Sequence, residues 1–546
     1  MTRAAALALL LLVAQETRRP NVIVIITDDQ GYGDLGCHGN DKIRTPHLDA
    51  FARQSVRLEW FYVMPVCSPT RACLLTGRYN YRTGVVDTFI GRSLMRPDEV
   101  TLAEMLGAAG YRTGIFGKWH LGDNYPLRAI DQGFQEALVL KGGGIGQPSD
   151  PPGGDGYFDP TLLENGKPVK TKGYVSDVIT DAAIRFVEAN RDTPFLTYIA
   201  FNAPHDPLQI AEAYVKPYKE AGLPESTSRV YGMVTNIDEN LGRLFAKLEA
   251  LKLAENTIVL FMADNGPQHD RYNAGMRARK GTVFDGGIRV PGYARWPARL
   301  KAGHKVDRIA AHIDVTPTMI EACGVSRPDV KFDGRSLLPL LTRQDTGWAD
   351  RTLFFQWHRG DQPELGRACA ARSQRWKLVR QQPNVAPLLF DMAADPAEKN
   401  DVAAANPDAV KGLWEAYEAW FKDVSARGYE PARIHVGSEH EDPVLLTRQD
   451  WRGAKAGWGP QNVGHWEVHV AREGVYEVKL LFKALDRAAR ARVSLAGATA
   501  EKELEGGAKE VTLSVRLPAG PSRLEPFLVQ GERTLGVDYA EVKRMD

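Results

Sequence analysis

The chain has 546 residues, too many for one compact core, so more than one structural unit is expected. Hydrophobic residues make up 43% and charged residues 25%, the balance of an ordinary globular protein. Sixty-nine Lys and Arg face 68 Asp and Glu, which removes any global attraction to nucleic acid or an anionic membrane; an anion site must be local.

The chain opens MTRAAALALLLLVAQETRRP, with an early arginine, an apolar run over 4–14 and small residues near its end. This pattern reads as a signal peptide over 1–18, too short to span a bilayer, and predicts export to the periplasm or beyond. No later stretch predicts a membrane span. Next comes the apolar run VIVIIT (22–27), ending in Asp28 and Asp29. A helical pattern over 48–56 leads to CSPTRACLLTGR (67–78), where a helix is expected to begin at the cysteine. A helix over 102–110 precedes YRTGIFG (111–117), which runs into Lys118 and His120. The glycine- and proline-rich stretch 141–160 predicts a long loop at the rim of a site.

A helix over 176–190 is followed by FLTYIAF (195–201), leading to His205. A helix over 234–251 is followed by TIVLFMA (257–263), leading to Asp264 and Asn265. Continuous apolar runs of this length suit strands buried on both faces. Their alternation with helices predicts an α/β fold around a mainly parallel sheet, where ligands sit beyond the carboxyl ends of the strands. Short strands and turns after residue 341 predict a smaller antiparallel subdomain, 341–430, closing the catalytic unit 19–340. After about Tyr429 the alternation becomes period two, which predicts an appended β-sandwich over 431–546.

All four apolar runs therefore end in ionisable or metal-type side chains. Asp28, Asp29, Asp264 and Asn265 form a hard-oxygen set suited to Ca²⁺, with Mg²⁺ as the alternative. For either pair alone, the simpler reading is a helix cap or an Asx turn. Arg71, Lys118, His120, His205 and Lys280 supply cations and imidazoles. Gathered around one metal, they would stabilise charge on a tetrahedral oxyanion, which makes a sulfate or phosphate ester the natural substrate class. Five cysteines, at 37, 67, 73, 323 and 369, form neither a disulfide framework nor a zinc pattern. As a cysteine, Cys67 reads as a buried thiol, a metal ligand or a nucleophile.

CSPTRACLLTGR fits the sulfatase consensus C-x-P-x-R followed by T-G-R, and GYRTGIFGKWH (110–120) fits the second sulfatase signature. The order DD, CxPxR, GKWH, APH, DNG and KGTxxxGGIRVP resembles the type I sulfatases of the alkaline phosphatase superfamily over about residues 19–425. Thr70 stands where that family more often has serine or alanine. The resemblance implies that Cys67 is oxidised to Cα-formylglycine by a formylglycine-generating enzyme, and that its hydrate attacks sulfur. It also implies that Asp28, Asp29, Asp264 and Asn265 bind Ca²⁺ together with residue 67. Arg71 and Lys118 would hold the hydrate and the sulfate, while Lys280 and His205 contact the sulfate and the leaving oxygen. Asp264 and His120 would serve as bases.

The implied substrate is an aryl or carbohydrate sulfate ester, including sulfated oligo- and polysaccharides. Two other readings stand beside it: a phosphonate monoester or phosphodiester hydrolase of the same superfamily, and a silent glycan-binding protein. In the β-sandwich, Trp451, Trp458 and Trp466 are candidate sugar platforms or, more simply, core.

Overall fold

A computed structural model describes residues 19–152, 156–326, 329–344 and 347–545; the signal peptide expected over 1–18 lies outside them. Ten strands form the main sheet: β1 (Asn21–Thr27), β2 (Val56–Tyr62), β3 (Arg112–Lys118), β4 (Glu136–Leu140), β5 (Thr161–Glu164), β6 (Lys167–Lys170), β7 (Phe195–Ala200), β8 (Thr257–Ala263), β9 (Gly292–Arg295) and β10 (Lys305–Ala311). Their order is β10-β2-β9-β8-β1-β7-β3-β4-β5-β6. The four strands expected to carry the site are thus consecutive, β8-β1-β7-β3, and all their pairings are parallel. Their carboxyl ends open on the same edge.

The continuous apolar character of β1 has a direct physical reading. Val22, Val24 and Ile26 enter one core, and Ile23 and Ile25 enter the other. β8 divides in the same way, with Ile258, Leu260 and Met262 on one side and Val259 and Phe261 on the opposite. A strand covered on both faces cannot afford polar alternation, so the two-layered helix cover is written into these runs. The helices Val175–Ala189 and Glu225–Ala250 supply apolar residues to the second core.

Beyond the main sheet lies a four-stranded antiparallel sheet: β11 (Leu353–Gln356), β12 (Cys369–Arg372), β13 (Trp376–Arg380) and β14 (Leu388–Asp391). The helix Pro407–Val424 packs against it. Two further antiparallel-rich sheets between Ile434 and Arg544 share one apolar core. That core also takes in Ile90, Leu94 and Leu127, so the C-terminal sheets are docked on the α/β unit through apolar contact. Trp451 and Trp466 are fully buried in this core. Trp458 is 39% exposed, so the three tryptophans do not share one role. Among the described residues no helix is long and apolar enough to cross a membrane, and all five cysteines are free thiols.

Candidate active site

Cys67 is the first residue of the helix Cys67–Thr76, preceded by an extended Val66. Pro69 stands in the first turn, where a missing N–H costs nothing, and Gly77 closes the helix in the left-handed conformation. The cysteine therefore sits where free N–H groups and the positive end of the helix dipole favour an anion. Burial pushes its thiol pKa up, with Lys118 and Lys280 pulling the other way. A cysteine nucleophile needs the thiolate; here the sulfur is held as a neutral thiol.

Around it the strand ends converge. Lys118, the last residue of β3, places Nζ 2.6 Å from Asp28 Oδ2. Gly117 before it has φ 115°, and a Cβ there would lie 1.9 Å from the Ala200 carbonyl, so only glycine lets β3 deliver the lysine beside β7. Arg71 Nη2 donates to Asp264 Oδ2 at 2.8 Å, and its Nη1 donates to the Lys118 carbonyl at 2.9 Å. Lys280 Nζ lies 2.6 Å from Asp29 Oδ1, which also accepts from Asn265 Nδ2 at 2.8 Å. His205 Nε2 is 3.8 Å from Asp29 Oδ2. Three carboxylates and three fixed cations thus balance in a buried space.

The charge pattern separates the acids. Burial works to raise the Asp29 carboxyl, but Lys280 and His205, with hydrogen bonds from Lys280 and Asn265, hold it well below the usual range. Burial and then the neighbouring Asp28 carboxylate push Asp264 up to about 7, against Arg71 and Lys118. Asp29 itself has φ 62° and His120 φ 60°, a left-handed backbone rare for side-chain-bearing residues and common at functional turns.

The two histidines are neutral for a shared reason. Burial, followed by Lys118, takes His120 well below its ordinary value. Its Nε2 lies 2.7 Å from the Thr88 carbonyl and must be the protonated nitrogen, since a carbonyl only accepts. Nδ1 is buried with no partner, leaving a basic lone pair. Burial lowers His205 to about 4, only partly offset by Asp29. Its Nδ1 donates to the Asp206 carbonyl at 2.6 Å.

The oxygen set fits a hard divalent cation. Asp28 Oδ1, Asp29 Oδ2 and Asn265 Oδ1 are buried without a hydrogen-bond partner, a state that ordinarily costs ~1–3 kcal/mol per group and that a metal would relieve. Ligand atoms of Asp28, Cys67 and Asp264 lie within 4.8 Å of one another, as do those of Asp28, Asp29 and His205. Three carboxylates and an amide oxygen are the chemistry of Ca²⁺ or Mg²⁺.

All ten positions singled out in the sequence meet here, but other residues complete the site unannounced. Arg271, buried and paired with Asp34, donates to the Asp29 carbonyl at 2.8 Å. A cavity of about 190 Å³ opens above Cys67. Its lining includes His120, His205 and Lys280, together with Phe89, Gln147, Arg359 and Trp458. Gln147 comes from the expected rim loop. Gly143 of the same loop has no room for a side chain: a Cβ would lie 2.7 Å from His120 Nε2. The GGG run was the available signal. Nothing local marks Phe89 or Arg359, whose role depends on which segments meet.

Comparison with known proteins gives a consistent placement. The sulfatase family model matches residues 20–325, and that of the N-sulphoglucosamine sulphohydrolase C-terminal region matches 278–416. The human protein named arylsulfatase A is 31% identical, covering 78% of this chain and 92% of its own length. An N-acetylglucosamine-6-O-sulfatase from Bacteroides thetaiotaomicron is 27% identical over 71% of this chain and 83% of its own. Among solved structures, Ps i-CgsB in complex with k-i-k-neocarrahexaose has a TM-score of 0.69 and 29% identity, covering 76% of this chain and 95% of that one. Residues beyond 416 lie outside both family matches.

Proposed function

Because this chain belongs to the sulfatase family and hydrolyses sulfate esters, we propose that it does so with a formylglycine made from Cys67 and a Ca²⁺ held by Asp28, Asp29, Asp264 and Asn265. The observation that carries this reading is the neutral, buried Cys67 thiol at a helix N-terminus, ringed by three cations and orphaned carboxylate oxygens. The site is built for an anion, yet the sulfur itself is a poor nucleophile. An aldehyde hydrate at this position supplies two hydroxyls, one to attack sulfur and one whose deprotonation expels sulfate and restores the aldehyde. The calcium would neutralise charge on the sulfate oxygens.

The chain's own residues do the remaining work. Arg71 and Lys118 hold position 67 and the sulfate; Lys280 reaches the sulfate from the opposite side. Asp264 takes the proton of the attacking hydroxyl. His120 offers its Nδ1 lone pair to the second hydroxyl. His205 faces the leaving oxygen, and an anionic ester beside it would raise its pKa and allow it to carry a proton there. A formylglycine-generating enzyme is the partner this chemistry requires during maturation, and export to the periplasm or beyond places the enzyme where sulfate esters are met.

The direct test pairs two measurements. The peptide bearing residue 67 should show the mass of aldehyde or hydrate, and the purified protein should release sulfate from 4-nitrophenyl sulfate. Unmodified cysteine in active enzyme would overturn the mechanism. Faster turnover of phosphodiesters or phosphonates than of every sulfate ester would overturn the substrate class.

Metal removal gives an independent check. Calcium at about 100 times its Kd is expected to stabilise the fold by ~2.7 kcal/mol, so chelation should lower the thermal midpoint as well as the activity. Asp28→Asn should blunt both effects. A midpoint indifferent to calcium would reject the metal assignment. Gly143→Ala is expected to displace His120 or its loop; misplacing a catalytic group by ~1 Å can cost about 10²-fold. The measurement is kcat against an unchanged thermal midpoint.

A further inference from the structure

The cavity above Cys67 has a wall the α/β unit does not build alone. Segment 87–92 is clamped from two sides. From the loop that follows β11, Trp357 Nε1 donates to Asp87 Oδ1 at 3.0 Å and Arg359 Nη1 at 3.1 Å. From the C-terminal β-domain, Gln449 Nε2 donates to the Thr88 carbonyl at 2.9 Å, and Arg452 Nη1 donates to the Gly91 carbonyl at 3.1 Å. The Thr88 carbonyl is the same oxygen that orients His120.

Trp458 stands at the end of this clamp. Its carbonyl accepts from Arg448 Nη1 at 3.1 Å, and Arg448 is itself buried and lies 5.0 Å from the Trp451 ring. The indole meets Phe89 edgewise, with ring centroids 5.3 Å apart at 78°. Arg359 lies 4.3 Å from the same Phe89 ring. The tryptophan is thus an exposed aromatic on a loop fixed to the domain core, and it lines the same cavity as Cys67, His120 and Lys280.

We propose that Trp458 and Phe89, with Arg359 beside them, form a subsite of the β-domain and its clamped segment for the alcohol half of the substrate. It takes a sugar ring against the aromatic pair and a second anionic substituent of that saccharide on Arg359. This rests on the sulfate ester hydrolysis argued above. Two features of the cavity suit a saccharide. Apart from the two aromatics, the side chains facing the cavity are chiefly polar: Thr88, Gln147, Arg359, Lys280 and the two histidines. A sugar uses an aromatic face together with hydrogen-bonding groups, and this cavity offers both. Its volume of about 190 Å³ suits one ring and its sulfate.

The second anion follows from charge. Arg92, Arg359 and Arg452 share the carboxylates of Asp87 and Asp361, so one positive charge is left over at the rim. The Arg359 side chain is 51% exposed, and its planar guanidinium suits bidentate contact with sulfate or carboxylate.

The test measures kcat/KM for wild type, Trp458→Ala, Trp458→Phe and Arg359→Gln. The probes are 4-nitrophenyl sulfate and a panel of mono- and disulfated hexosamines and galactoses. Wild type is expected to prefer a disulfated sugar to its monosulfated counterpart. Trp458→Ala should cut kcat/KM on the best saccharide at least tenfold more than on the aryl ester, chiefly through KM, with Trp458→Phe recovering most of the loss. Arg359→Gln should erase the preference for the second anion. Thermal midpoints guard against unfolding. The proposal is overturned if wild type cleaves the aryl ester but no saccharide better, or if Trp458→Ala lowers both in proportion. No sulfate from any probe would instead overturn the turnover on which it rests, and this subsite with it.

Discussion

Replacing Cys67 with alanine is expected to lower steady-state sulfate release by ~10⁴-fold or more, the scale on which loss of a covalent nucleophile acts. The change removes only the side-chain oxygens of the modified residue, from a buried position that borders the cavity, and should cost only about 1 kcal/mol of stability. The thermal midpoint should therefore stay near that of wild type while turnover disappears. Cys67→Ser separates the chemistry further. A serine hydroxyl can attack once, but it lacks the second hydroxyl that expels sulfate. Burst kinetics on 4-nitrophenyl sulfate should then show no more than about one equivalent of alcohol before turnover stalls. If the alanine variant turns over within tenfold of wild type, residue 67 is not the nucleophile.

Arg71→Ala carries the second large effect, and it falls on stability as well as rate. Arg71 is fully buried, paired with Asp264 and bonded to the Lys118 carbonyl. Its loss leaves a buried carboxylate without its cation, a change that typically costs ~3–5 kcal/mol. It also releases the end of β3 that carries Lys118. Sulfate release should fall by ~10²–10³-fold, the usual cost of losing one fixed donor to a developing anion. Arg71→Lys keeps the charge but cannot serve the carboxylate and the carbonyl together. It should recover part of the stability and little of the rate. An unchanged midpoint in Arg71→Ala would mean that the pair does not anchor the site.

These two residues were legible because their surroundings are local. CxPxR places Cys67 and Arg71 one helical turn apart, on the same face of one helix. The acidic pairs were legible because each follows an apolar run too long to alternate. What linear order could not supply was adjacency. β8-β1-β7-β3 brings residues 28, 118, 205 and 264 together, although β1 and β8 lie more than 200 positions apart in sequence. The family resemblance bridged that gap for the motif residues. It offered nothing for Asp87, Phe89, Gln449 or Arg359, which carry no motif and act through where their segments dock.

The tryptophans show the same limit. Composition and period-two alternation foretold a β-rich C-terminal region, and with it the choice between core and platform. They could not divide Trp451 and Trp466 from Trp458, because burial depends on which loop turns inward over the shared core. Periodicity and spacing within a turn were enough for the α/β class and for the start of the Cys67 helix, and the apolar runs marked where the acidic pairs would stand. Tertiary structure alone decided the tautomer of His120, the low charge state of its ring and the cavity wall supplied by the β-domain. Those depend on desolvation and on hydrogen bonds between distant segments, such as the Thr88 carbonyl shared by His120 and Gln449.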